Sequence, residues 1–119
     1  MSYVVSETRE LAHPASDVLA VAREVLPRLG GKRPRKDPGL ADQVHAEFNK
    51  QIGGRAFASR VRVIVRVAEN GLRCTTSLEA YPVDPLGNPL QFGVVGEPAR
   101  LVAGIIWERL EARLALASP

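Results

Sequence analysis

Between Phe57 and Tyr81 the chain carries two long runs of alternating side chains joined by Asn70-Gly71. In the first run Phe57, Ser59, Val61, Val63, Val65 and Val67 share one parity, and Arg60, Arg62, Ile64 and Arg66 share the other. In the second, Leu72, Cys74, Thr76, Leu78 and Ala80 alternate with polar neighbours. A period of two places one set on a buried sheet face and the other on the opposite face, so these residues read as a β-hairpin. Asn-Gly is the strongest short hairpin signal, because both central positions of a type I′ turn need positive φ. A two-residue turn there pairs Glu69 with Leu72. It then sets Val67 against Cys74, Val65 against Thr76, Val63 against Leu78 and Val61 against Ala80. On the other face Arg62 meets Glu79 and Arg60 meets Tyr81.

A second hairpin precedes it. Leu40 to Lys50 alternates Val44, Ala46 and Phe48 with Gln43, His45, Glu47 and Asn49, and Gly53-Gly54 supplies the turn. That turn pairs Val44 with Val63, Ala46 with Val61, His45 with Arg62 and Glu47 with Arg60. Both hairpins gather their apolar parities on one face, and a one-residue slip would destroy the agreement.

The remaining segments supply one strand and two helices. Tyr3 to Leu11 alternates weakly and reads as a strand. Beyond Pro14, which suits a first helical turn, Val18, Val21, Ala22, Val25 and Leu29 recur at helical spacing, flanked by Leu19 and Leu26. Pro27 removes one backbone donor from the last turn, and Gly30-Gly31 ends the helix. Residues 32–39, KRPRKDPG, form a proline-broken basic loop, and residues 82–93, PVDPLGNPLQFG, a second loop. From Glu97 to Leu116 a last helix presents Leu101, Val102, Ile105, Ile106, Leu110 and Leu114, with Trp107 beside them. The expected fold is therefore α+β, in the order β-α-β-β-β-loop-α. Its antiparallel sheet has four strands, or five with a short one near Leu90 to Val95. Two helices cover the valine face, the only apolar face on offer.

With 119 residues, one domain spanning 1–119 is expected. Hydrophobic residues are 45% and charged residues 24%, as in ordinary globular domains. No apolar run approaches the roughly 20 residues that span a bilayer. The opening MSYVVSETRE lacks a basic segment followed by an apolar one, and the single cysteine, Cys74, cannot form an internal disulfide. A cytoplasmic protein without a membrane span is expected. The formal charge is +3 and the pI about 9.5. Basic residues are mostly arginine, with lysine only at positions 32, 36 and 50. That usage fits a GC-rich bacterial genome as well as any function.

Catalytic constellations are lacking. The two predicted cross-strand rows, His45–Arg62–Glu79 and Glu47–Arg60–Tyr81, read as charge pairing on a flat solvated face rather than as an acid–base site, which needs a cleft. Cys74 lies on the inward parity, away from both histidines, and behaves as a small apolar residue. His13 and His45 lack ligand spacing, and no phosphate-cradling glycine loop or G-x-S-x-G occurs. No cofactor or metal is expected, and the chain reads as a non-enzyme.

Two binding regions remain. Lys32, Arg33, Arg35 and Lys36 form the densest charge cluster; with Arg60, Arg62, Arg66 and Arg73 they could make a polyanion-binding surface. Nucleic acid is the less favoured occupant, since Tyr81 alone offers an outward aromatic for stacking. The other region is apolar. Val61, Val63, Val65, Thr76, Leu78 and Ala80 should lie beneath Val102, Ile106 and Leu110, with Leu86, Leu90 and Phe92 at one end.

The stretch Glu10-Leu-Ala-His-Pro-Ala-Ser-Asp-Val-Leu-Ala-Val-Ala22 resembles the opening of START and polyketide-cyclase-like (SRPBCC) domains. In these, a strand and a Pro-Ala segment lead into a helix, and a curved sheet grips a long C-terminal helix. The element order also resembles the TBP-like fold. The resemblance implies a helix-grip domain that binds an apolar small molecule between helix and sheet, or a partner protein beside them. It transfers no catalytic residue. Dimerisation through a strand edge or a helix is the remaining expectation.

Overall fold

A computed structural model describes residues 4–90 and 97–117. The elements follow the expected order: β1 (Val5–Leu11), α1 (Ala15–Arg28), β2 (Gln43–Ile52), β3 (Arg55–Asn70), β4 (Arg73–Val83) and α2 (Pro98–Ala117). All pairings are antiparallel and the strand order is β1-β4-β3-β2. The fold is α+β, with a four-stranded open sheet and both helices on one face. Residues 91–95 of the suggested fifth strand, and Phe92 with them, lie outside the described residues.

The valine face is the core. Phe48, Val61, Val63, Val65, Cys74, Thr76, Leu78 and Ala80 are completely shielded from solvent. Thr76 is the one polar residue in that set, and its hydroxyl lies 3.4 Å from Cys74 Sγ. From α1, Val18, Val21, Ala22, Val25 and Leu26 pack down onto this face; from α2, Val102, Ala103, Ile106, Trp107, Leu110 and Leu114 do so. The buried stripe of α2 is rotated relative to expectation. Ala103 and Trp107 are inside, whereas Leu101 and Ile105 are only half-buried.

Both hairpins keep the expected faces but not the expected partners. In β3–β4 the turn is Gly71-Leu72, and Asn70 pairs with Arg73. Gly71 has φ 69, and no neighbour in the turn joins it in the positive region. A glycine at the first of two turn positions is the type II′ solution, which competes with the type I′ turn that Asn-Gly favours. The one-position move of the turn shifts every pair by two. Val63 therefore meets Ala80, Val65 meets Leu78, Arg62 meets Tyr81 and Ile64 meets Glu79. The expected Arg62–Glu79 neighbours are thus separated, and Glu79 instead reaches Arg66 at 3.6 Å.

In β2–β3 the Gly53-Gly54 turn forms as expected, with both residues at positive φ and Ile52 against Arg55. A bulge then intervenes between Asn49 and Gln51, with Lys50 at φ 64. Beyond it Phe48 meets Val61, Ala46 meets Val63, and Glu47, not His45, meets Arg62. Bulges insert residues on one strand and re-aim its side chains; here the shift is even, so the apolar faces stay together.

At the end of α1, Gly30 N–H donates to Pro27 O (3.0 Å) and Gly31 N–H to Leu26 O (2.9 Å). With Gly30 at φ 100, this is a Schellman closure. It turns the chain back so that Lys32 pairs with Glu47 as a short bridge on the β2 edge. The basic loop is therefore anchored at its first residue to the sheet.

A basic cleft over the outer sheet face

The outer face of the sheet is not the flat, solvated surface expected from alternation. Arg62 and Ile64 are buried there, at 7% and 6% exposure. Residues 32–39 fold over this end of the face, because Arg62 Nη2 donates to the Lys36 carbonyl at 3.0 Å. Asp37 braces the loop internally. Its carboxylate accepts from Gly39 N–H (2.8 Å) and from Arg33 Nε (2.9 Å). The Gly39 bond chiefly, with Arg33 beside it, holds the Asp37 carboxyl below its ordinary range. Pro34, between the basic side chains, is buried.

A second turn closes the other side. Asp84 accepts from the backbone N–H groups of Leu86 (2.8 Å) and Asn88 (3.0 Å) and from the Asn88 side chain (3.3 Å). These bonds, that of Asn88 N–H first, lower its carboxyl from the usual value. The tight turn sets Pro85, Leu86 and Gly87 opposite the basic loop.

Between the loop, the turn and the sheet lies a cleft of about 390 Å³. Its basic lining is Lys32, Arg33, Arg35, Lys36, Arg60 and Arg62; Glu47 is the single carboxylate, with Asn49 and Gln51 beside it. Glu47 is itself paired with Arg60 at 3.7 Å, and Arg33 with Asp37. Lys32, Arg35, Lys36 and Arg62 have no ion pair among the described residues.

Arg62 is the unusual member. A buried guanidinium normally has an anionic partner, since removing a charge from water costs several kcal/mol. Here Arg62 Nη2 has two neutral acceptors, the Lys36 carbonyl and His45 Nδ1 at 3.0 Å. Its Nε is buried and has no hydrogen-bond partner among the described residues. Arginine cannot accept, so His45 Nδ1 must carry the lone pair, and the imidazole is the neutral tautomer with its proton on Nε2. That proton is donated to Gln43 Oε1 at 2.8 Å. Burial first, and then the Arg62 charge, lowers the His45 pKa from its ordinary value.

All four residues of the expected polyanion cluster line this one cleft, with Arg60 and Arg62, while Arg66 and Arg73 do not. Of the apolar candidates only Leu86 lines it, and that side chain is 76% exposed. Val61, Val63, Val65, Thr76, Leu78, Ala80, Val102, Ile106 and Leu110 are core residues on the opposite side of the sheet, and Leu90 is half-buried. None of them lines this cleft or a second one of similar volume on the α1 side of the basic loop, where Pro27, Leu40, Val44 and His45 are found.

Sequence reasoning missed the burial of Arg62 and the two aspartates that shape the rim. The signal for the latter was present: Asp two residues before Gly39 and before Leu86 is the spacing of an Asx turn. No protein-family model and no curated protein matches this chain. Among the described residues no helix is long and apolar enough to cross a membrane.

Proposed function

We propose that this chain binds a compact, multiply charged phosphate ligand in the basic cleft. The observation that carries the reading is Arg62, a buried cation on the floor of a cleft rimmed by Lys32, Arg35 and Lys36, none of the four having a carboxylate partner among the described residues. An oxyanion in the cleft would supply the anionic partner that the buried Arg62 guanidinium lacks, meeting the part of the side chain that lines the cleft while Nε stays shielded. Arginine suits this role because its planar fork matches phosphate oxygens.

The size of the cleft supports a small ligand over a polymer. About 390 Å³ falls within the roughly 300–1,000 Å³ of small-molecule sites. A single-stranded nucleic acid would want aromatic platforms for its bases, and the cleft lining contains none.

Calorimetric titration with inorganic tripolyphosphate tests the proposal. Binding should be saturable, weaken as salt is raised, and be lost in Arg62→Met, a variant that keeps an unbranched apolar stem and removes the guanidinium. Equal affinity in wild type and Arg62→Met would remove the reading. Tighter binding of an oligothymidylate than of tripolyphosphate, also lost with Arg62, would transfer the site to nucleic acid.

A further inference from the structure

We propose that β1 is a self-association edge, pairing antiparallel with β1 of a second copy about a twofold axis through Thr8. The two edges of the sheet are unlike. The β2 edge is occupied at Glu47 by the Lys32 bridge and broken by the bulge at Lys50. The β1 edge, by contrast, pairs continuously with β4 from Val5 to Leu11 and has no strand on its other side among the described residues. Open, regular edges are templates for pairing with another strand.

Charge complementarity selects the second copy. Glu7 and Arg9 flank Thr8 symmetrically and share the helix-side parity of β1. In an antiparallel pair centred on Thr8, each Glu7 stands opposite the other copy's Arg9, and Val5 opposite Leu11. The two charge pairs repeat by symmetry, which is the self-complementary form an isologous interface requires. A centre one residue away would lose both.

The cation is held against α2, on the helix side of the edge. Arg9 Nη1 donates to Glu111 at 2.8 Å, and its guanidinium lies 4.5 Å from the Trp107 ring centroid. Glu7 has no ion pair among the described residues. The helix does not obstruct the edge, since α2 packs chiefly on β4 and β3 and only lightly on β1.

Sedimentation equilibrium on the wild type and on two charge reversals tests the register. The wild type should show a monomer–dimer equilibrium. Glu7→Arg alone and Arg9→Glu alone each place like charges opposite one another, and each should weaken association by about tenfold. An equimolar mixture of the two variants restores opposite charges at every pair and should recover the dimer. A disulfide assay covers the case in which Arg9→Glu fails to fold. Thr8→Cys should cross-link rapidly under mild oxidation, and Leu72→Cys, on an exposed hairpin tip, should not. A monomeric wild type, a mixture no more associated than its components, or cross-linking of Thr8→Cys no faster than Leu72→Cys overturns the proposal.

Discussion

The same substitution, glycine to alanine, should have opposite signs at Gly31 and Gly104, and the difference tests how the basic loop is anchored. At Gly31 an added Cβ would lie 2.9 Å from the Leu26 carbonyl oxygen, 2.9 Å from Phe48 Cζ and 3.2 Å from Ala46 Cβ. None of these neighbours yields easily. The carbonyl accepts the Gly31 N–H in the helix closure, and the Phe48 ring is fully buried. Overpacking of this kind costs roughly 1–3 kcal/mol, against about 0.4–1 kcal/mol recovered from a less flexible unfolded chain. Gly31→Ala should therefore destabilise by about 1–2 kcal/mol and lower the melting temperature by about 4–8 °C. Gly104 is an exposed position in α2 with nothing within 4 Å of the added atom. There alanine should stabilise by up to about 1 kcal/mol through helix propensity. Urea unfolding of both variants supplies the measurement. A Gly31→Ala protein as stable as wild type would refute the close approach of the α1 terminus to β2, and with it the placement of the Lys32 bridge.

Three further outcomes follow from the same geometry. His45 has a lowered pKa in the folded chain, so the unfolded chain binds the proton first. Its contribution is fully present above the ordinary value of 6.5 and should be lost as pH falls from there through the lower folded value. His45→Gln should flatten that part of the stability–pH curve, and an unchanged slope would reassign it to other groups. Glu79→Ala breaks only a half-exposed pairing with Arg66 at 3.6 Å, and denaturant unfolding should register less than about 1 kcal/mol. Ala80→Phe forces a ring into a fully buried position between Val63 and Val5. It should cost roughly 1–3 kcal/mol, and a tolerated or stabilising ring would instead reveal room for an apolar ligand beneath α2.

What the sequence disclosed and what it withheld divide along physical lines. Parity is a local property of the chain, so Val61, Val63, Val65, Leu78 and Ala80 could be assigned to the core face without knowing their partners. Register depends on the turn, and Asn70-Gly71-Leu72 offers two solutions one residue apart. Choosing between them requires the packing of the whole sheet. The bulge at Lys50 has no glycine to announce it, since a lysine occupies the left-handed region there. The basic loop stood out as a charge cluster. Its fold over Arg62, however, is a contact between positions 36 and 62 that no local pattern encodes. The cleft arises from that long-range closure, so its basic residues, Arg60 and Arg62 among them, were visible, whereas the burial of Arg62 was not.

A phosphate ligand in the basic cleft would give the buried Arg62 guanidinium the anionic partner that it lacks among the described residues. The Nε–Hε resonance of Arg62, observed by nuclear magnetic resonance with the arginines isotopically labelled and assigned by its loss in Arg62→Met, reports on that atom directly. Titration with tripolyphosphate should move this resonance to a saturating value, as an oxyanion settles against the guanidinium that carries it. It should do so at the same ligand concentration that saturates the heat of binding. An Arg62 resonance that stays fixed while tripolyphosphate binds, or while only the exposed loop arginines respond, would contradict the account.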